Sequence, residues 1–137
     1  MKNSGSIEDR ILIREVYGLY AMASSHGDKD AWLSLWTEDA EWNSHIFNRR
    51  GKDDLRRQWE ELWVNFGKLG FLSDVGPIEV SGDTARAQSV AREVIRMADG
   101  TLFKLIGTYD DYLVRQEGGW LFSRRDYAPL VEEFVTS

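Results

Sequence analysis

Three long strands joined by two tight turns fill the second half of the chain, and this pattern constrains the fold most. The strands are predicted at residues 84–97, 101–115 and 120–128. Asp99-Gly100 and Gly118-Gly119 mark the turns, because glycine supplies the backbone conformation that hairpins require. At about 3.3 Å per residue, each of the first two strands would exceed ~40 Å if straight. Such a sheet must bend around the first half of the chain.

The first half has the apolar spacing of three helices. The first is predicted to begin after Ser6, in a sequence that resembles a capping box, and to end at Gly27. A short second helix follows at once and carries Trp36 on its inner face. The third is predicted to begin near Gly51 and to end at Gly67. These helices are available to cover one face of the sheet.

Helices followed by an antiparallel meander indicate an α+β fold with segregated layers. Shorter strands are predicted near residues 40–47 and 77–81, and Pro129 is expected to end the last long strand. No linker, repeat or low-complexity stretch interrupts the chain, so one domain is expected over residues 1–137. A curved sheet covered by helices on one side would enclose a pocket.

Composition excludes several functional classes. A formal net charge of −6 argues against a nucleic-acid partner. The chain has no cysteine, so thiolate chemistry and thiolate metal sites are excluded, and no His/Asp/Glu set has metal-ligand spacing. We see neither a signal peptide nor an apolar run of the ~18 residues that a membrane span needs. A cytoplasmic protein without a membrane partner is expected.

Several segments resemble SnoaL-like proteins of the nuclear transport factor 2-like superfamily. They are residues 19–42 with Leu35-Trp36-Thr37-Glu38-Asp39-Ala40, Ile78-Glu79-Val80-Ser81-Gly82-Asp83, Gly107-Thr108-Tyr109-Asp110-Asp111-Tyr112, Gly118-Gly119-Trp120 and Arg125-Asp126-Tyr127. The resemblance implies a cystatin-like, cone-shaped barrel made by a strongly curved antiparallel sheet and three N-terminal helices. Its enzymes include ketosteroid isomerase, scytalone dehydratase, limonene epoxide hydrolase, polyketide cyclases and hexachlorocyclohexane dehydrochlorinase. The resemblance also implies an active site inside the cone that uses no metal or organic cofactor.

The resemblance assigns catalytic roles to four residues. Tyr20 matches a catalytic tyrosine that donates to an oxyanion, and Asp28 matches a dehydrochlorinase carboxylate. Arg125 matches a dehydrochlorinase arginine, and Asp126 stands where cyclases and the epoxide hydrolase carry an acid or base. The residues alone also allow a core tyrosine, a helix N-cap and a rim ion pair. Strand alternation lets only one of Arg125 and Asp126 face the pocket unless a bulge intervenes.

Other positions depart from the patterns of these relatives. Glu93 lies where the epoxide hydrolase has an aspartate, but the arginine expected two positions earlier is Ala91. Ser73 and Ser44 stand where dehydratases and isomerases carry their base. His45, beside Ser44, could replace that base because imidazole titrates near neutral pH, although a lone histidine on a strand is more often structural or solvated.

The aromatic residues of the first half are predicted to form the pocket walls. They are Trp32, Trp36, Trp42, Trp59, Trp63 and Phe66. With Glu93 they would bind a small, apolar, cyclic molecule. The hypothesis is therefore a cofactor-independent isomerase, lyase or cyclase that works by acid–base chemistry. The alternative is a non-catalytic ligand-binding or assembly module, such as the small subunit of an oxygenase.

Both faces of the middle long strand are substantially apolar. One face carries Leu102, Ile106 and Tyr112, and the other carries Phe103, Leu105, Gly107, Tyr109 and Leu113. Only one face can point into the core, so something must cover the other. A homodimer, or a higher homo-oligomer, is the simplest cover.

Overall fold

A curved six-stranded sheet covered on one face by three helices makes up residues 1–136, the part of the chain that the computed structural model describes. The helices are α1 (Ile7–His26), α2 (Lys29–Leu33) and α3 (Lys52–Val64). The strands are β1 (Trp36–Asn43), β2 (Asn48–Arg50), β3 (Phe66–Ser81), β4 (Thr84–Met97), β5 (Leu102–Gln116) and β6 (Gly119–Val135). The α+β prediction is confirmed.

The strand order is β2-β1-β6-β5-β4-β3, so the sheet does not close on itself. The meander from β3 to β6 is antiparallel, as predicted, whereas β1 pairs with β6 in parallel. On its other edge β1 pairs with β2 in antiparallel orientation. The sheet is therefore mixed, with its antiparallel part curved over the helices.

Local capping signals define the helices as the sequence indicated. Ser6 Oγ accepts a hydrogen bond from the Asp9 N–H at 3.0 Å, and Gly27 ends α1 with a φ of +64°. Asp28 Oδ1 accepts from the Ala31 N–H at 3.1 Å and so caps α2. Within residues 1–136, no helix combines the length and the apolar character that crossing a membrane requires.

Three predicted boundaries were wrong. Trp36 begins β1 instead of lying on the second helix, because α2 already ends at Leu33. The strand predicted near residues 77–81 is only the end of β3, which begins at Phe66 and bends where its register shifts between Val75 and Ile78.

The third wrong boundary is Pro129, which lies inside β6. The pairing of β6 with β1 ends at Asp126, and the β5–β6 register shifts between Ile106 and Gly107, next to Pro129. Beyond Asp126 one side of β6 is therefore a free edge, where proline removes no ladder hydrogen bond.

An aromatic cluster fills the core between the helices and the sheet. Trp32 lies at its centre, with ring centroids 4.6 Å from Trp59, 5.0 Å from Trp42 and 5.4 Å from Trp36. Such tilted and edge-to-face pairs each contribute about 0.5–1.5 kcal/mol beyond burial alone.

Candidate active site

A cavity of about 530 Å³ opens between α3, the β1–β2 loop and the sheet. Most of its wall is apolar or aromatic, and a few polar side chains point into it. The lining residues are Trp42, Ser44, His45, Ile46, Phe47, Gln58, Glu61, Leu62, Asn65, Phe66, Glu93, Ile95, Met97, Phe103, Leu105, Tyr109, Tyr127, Glu132 and Phe134. Its volume and character are those of a site for a small organic ligand.

Glu93 is a carboxyl group in the wall of this cavity that lacks a hydrogen-bonding partner in the described chain. It lies on β4 opposite Leu105, and no side chain among residues 1–136 donates a hydrogen bond to it. Burial raises the pKa of Glu93 to about 7, and the positive charge of Arg125 opposes that rise. A carboxyl group that titrates near neutral pH can both accept and release a proton.

Tyr127 supplies a hydroxyl group to the same cavity. Its Oη is buried without a hydrogen-bond partner among the described residues, and burial raises the pKa of Tyr127. The tyrosine therefore stays protonated at neutral pH and is free to donate. Its ring lies against Gly107, where any Cβ would collide with it. Glycine at position 107 thus makes room for the phenol.

A buried ion pair lies beneath the cavity floor. Arg125 and Asp111 are both fully buried, and Arg125 Nε and Nη2 donate to the two carboxylate oxygens of Asp111 at 2.8 and 3.1 Å. Tyr17 donates its hydroxyl to the same carboxylate. Burial is the main cause that raises the pKa of Asp111, and the charge of Arg125 opposes it.

Tyr109 separates this pair from the cavity. Arg125 Cζ lies 3.7 Å from the centroid of the Tyr109 ring, and Tyr109 lines the cavity whereas Arg125 does not. Arg125 Nη1 is buried and makes no hydrogen bond with the described residues. The guanidinium therefore acts on the cavity through its field, and its effect on Glu93 is one result.

A β-bulge decides which of Arg125 and Asp126 faces inward. Phe122 pairs with Leu113 and Arg124 pairs with Tyr112, so β6 carries one extra residue, Ser123. The inward positions of β6 therefore shift parity after Phe122. Arg125 points into the interior, and Asp126 lies on the outer face, where its carboxylate accepts from Arg124 Nε at 2.9 Å.

Of the five predicted catalytic residues, the structure brings Tyr20 and Arg125 into contact, and neither of them lines the cavity. Tyr20 is buried in the core under Arg125, Asp28 is an exposed N-cap of α2, and Asp126 lies outside the cavity. His45 lies at the mouth, with Nε2 3.5 Å from Glu132 Oε1. Arg125 is the predicted catalytic residue that reaches the interior next to the cavity.

The predicted wall residues divide into two groups. Trp42, Phe66 and Glu93 line the cavity. The other four predicted wall residues do not line it, and they are Trp32, Trp36, Trp59 and Trp63. Trp32, Trp36 and Trp59 belong to the aromatic core, and Trp63 packs against it. On α3 the cavity is lined by the neighbouring residues Gln58, Glu61 and Leu62 instead.

Sequence reasoning missed the residues contributed by β5 and the end of β6. Asp111 and Tyr109 share the inward parity of β5, which could have selected them. Tyr127, Glu132 and Phe134 could not be placed, because two register shifts along β6 break its alternation. No group of three or more His, Cys, Asp or Glu residues suited to a metal ion occurs within residues 1–136.

Several solved structures have the same fold as this chain. The chain superposes on a candidate aromatic ring hydroxylase from Novosphingobium aromaticivorans with a TM-score of 0.90 and 24% identity, over 96% of both chains. A candidate scytalone dehydratase from the same organism gives 0.87 and 21% identity, over 96% of this chain and 90% of the other. A hexachlorocyclohexane dehydrochlorinase gives 0.86 and 17% identity, over 96% and 91%.

These TM-scores establish a shared fold. No curated protein sequence matches the chain. The sequence profile of the SnoaL-like domain matches residues 5–126, which is most of the chain and includes Glu93, Asp111 and Arg125. The protein therefore belongs to the SnoaL-like domain family.

Proposed function

We propose that the protein is a cofactor-independent enzyme of lyase, isomerase or cyclase type that moves a proton on a small, apolar, cyclic substrate. The observation that carries this proposal is Glu93, an unpaired carboxyl group with a pKa near 7 in an aromatic cavity. A base whose pKa lies near the working pH is well suited to proton transfer.

Glu93 acts as the general base in this proposal. Its carboxylate removes a proton from a substrate carbon, and the electrons of that C–H bond form a C=C bond. A leaving group then departs with its electron pair, or a neighbouring carbonyl becomes an enolate. Glu93 returns the proton to the leaving group or to another carbon of the enolate. The candidate dehydratase and the dehydrochlorinase carry names that describe eliminations of this kind.

Tyr127 and Arg125 stabilise the charge that develops. The Tyr127 hydroxyl has no partner in the described chain and can donate to an oxyanion or a departing group. Arg125 is held by Asp111, whose carboxylate also accepts a hydrogen bond from Tyr17, and it adds a positive field from beneath the floor. A donor of this type is worth a factor of about 10²–10³ in kcat.

The test is turnover of a panel of cyclic ketones, alcohols and halides in D₂O, followed by NMR for proton exchange and elimination. We expect Glu93→Gln to lower the rate on a reactive compound by a factor of about 10²–10⁴, because it removes the proton acceptor. Asp126→Asn is the control, and it should stay within about twofold of the parent because its carboxylate pairs on the outer face.

Equal rates for the parent and Glu93→Gln would contradict the assignment of Glu93 as the general base. Binding of panel compounds in the cavity without any exchange or elimination would instead favour the alternative, a non-catalytic binding or assembly module.

We also propose that a second copy of the chain covers the outer face of the sheet. This face exposes Leu72, Val90 and Val131. A shallow groove of about 590 Å³ crosses it, lined in part by Thr108 and Ala128. The face also carries Arg86 beside Asp110 and Arg124 beside Asp126, so that two copies related by a two-fold axis can match opposite charges.

A further inference from the structure

The charged groups in the cavity wall are almost all of one sign. Among residues 1–136 the lining includes Glu61, Glu93 and Glu132 but neither lysine nor arginine. Arg49 Nη2 lies 3.7 Å from Glu61 Oε2 and offsets that charge from outside the cavity. His45 is the one lining side chain that can become cationic, and it contacts Glu132 at the mouth.

Within the described residues, no cationic side chain in the cavity wall offsets the charge of Glu93. Arg125, the cation that influences it, is already bound to Asp111 by two hydrogen bonds and lies behind Tyr109. The cavity therefore presents a carboxyl group in its wall and a carboxylate at its rim, with no fixed positive partner for a ligand anion. The carboxylates would repel an anionic ligand, and no positive group among the described residues of the wall would offset the free energy that the ligand loses when its hydration water is removed.

The rest of the wall is rich in aromatic faces. Phe103 and Phe134 are stacked with ring centroids 4.2 Å apart beside Glu132, and Tyr109 and Tyr127 lie 4.9 Å apart near Glu93. The face of an aromatic ring attracts an organic cation, by about 2 kcal/mol or more where water is excluded. Aromatic faces together with the unpaired carboxyl group of Glu93 and the carboxylate of Glu132 at the rim favour an ammonium group on an apolar body.

We propose that the cavity selects apolar compounds that carry a protonated amine, held by Glu93, Glu132 and the neighbouring aromatic rings. This inference rests on the cavity of the proposed function being the ligand site, and it names the charge of the substrate class. The formal net charge of −6 also favours the approach of a cation over that of an anion.

The test uses three unreactive probes that share one apolar body, namely 1-adamantylamine, 1-adamantanol and adamantane-1-carboxylate. Their affinities are measured by isothermal titration calorimetry at pH 7.5 in low salt. We expect the amine to bind at least about tenfold more tightly than the alcohol, and the carboxylate to bind most weakly.

Two variants locate the selectivity. Glu93→Gln and Glu132→Gln should each reduce the advantage of the amine by several-fold and leave the affinity of the alcohol within about twofold. Glu133→Gln is the matched control, since Glu133 pairs with Lys104 in the β5–β6 ladder one position after Glu132 and does not line the cavity. It should change nothing.

Equal binding of the amine and the alcohol, tighter binding of the carboxylate, or failure of the amine to bind would each overturn the inference. So would an amine preference that persists in the Glu93→Gln/Glu132→Gln double variant. These experiments measure binding. An amine preference without turnover would therefore contradict the proposed enzymatic activity but not this inference. Turnover of neutral substrates without an amine preference would count against this inference alone.

Discussion

Glu93 and Asp111 are both carboxyl groups inside the cone, but their surroundings make them chemically different. Asp111 receives two hydrogen bonds from Arg125 and one from Tyr17. Glu93 receives none from the described chain and feels Arg125 only at a distance. A group that is fully bonded is held in place, whereas an unpaired one remains available to a ligand. For this reason we assign proton transfer to Glu93 and positioning to Asp111.

The raised pKa of Glu93 predicts a pH-dependent stability. The pKa is about 7 in the folded protein, against an ordinary value of 4.5, so folding favours the protonated form. This contribution is complete below about pH 4.5 and is lost as the pH rises through about 7. The difference in pKa corresponds to about 3 kcal/mol of unfolding free energy.

Urea unfolding of the parent and Glu93→Gln between pH 4.5 and 8 measures this contribution. The parent should lose about 3 kcal/mol relative to the variant across that range, because glutamine cannot ionise. A constant difference between the two proteins at every pH would show that Glu93 is not held in its protonated form by burial.

At the scale of elements, two Asp–Arg interactions in different surroundings join β5 to its two neighbours, β6 and β4. Asp111 binds Arg125 across the two strands on the buried face. Asp110, the next residue, binds Arg86 of β4 on the outer face, where both side chains are more than a third exposed. Successive side chains of a strand point to opposite faces of the sheet. The same kind of Asp–Arg pair therefore forms once in the low-dielectric interior and once at the solvated surface.

These neighbours provide a matched pair of variants. Asp111→Asn should lower the free energy of unfolding by about 3–5 kcal/mol, because it leaves the charge of Arg125 buried without a partner. Asp110→Asn should cost at most about 1 kcal/mol, as expected for an exposed pair. Chemical denaturation at pH 7 measures both, and similar losses in the two variants would contradict the buried-pair account.

For the whole molecule, the two faces of the sheet differ in what they cover and what they expose. The inner face encloses the cavity and the aromatic core. The outer face leaves Val90 and Val131 about half exposed, at 45% and 58%. Exposed apolar side chains on one continuous face mark an interaction surface, and this supports the proposed homodimer.

Light scattering coupled to size exclusion tests the homodimer at micromolar concentration. We expect a dimer for the parent and a monomer for Val90→Asp, because the substitution buries two uncompensated charges in a two-fold interface. Val64→Asp is the control, since Val64 is 76% exposed at the end of α3 and should leave the dimer intact. A monomeric parent protein would refute the proposal.

The long strands, the helix caps and the fold family follow from the sequence. Alternation, the turn glycines and the Ser6 and Gly27 caps are local signals, and they are read from neighbouring residues. The boundaries of β1 and β3 and the continuation of β6 past Pro129 were missed, because pairing partners far away in the chain decide them.

The sequence by itself determined which ionisable groups the cone could contain, but only the tertiary structure decided which of them face the cavity. The bulge at Ser123 turns Arg125 inward and Asp126 outward, and its position depends on the pairing of β6 with β5. Burial then separates Glu93 from Asp111, because a pKa depends on the surrounding dielectric and charges and not on residue type. Register and burial are properties of the packed sheet. For that reason the cavity, with Glu93 in its wall, could be expected from the sequence, while the choice of Glu93 as the proposed base could not.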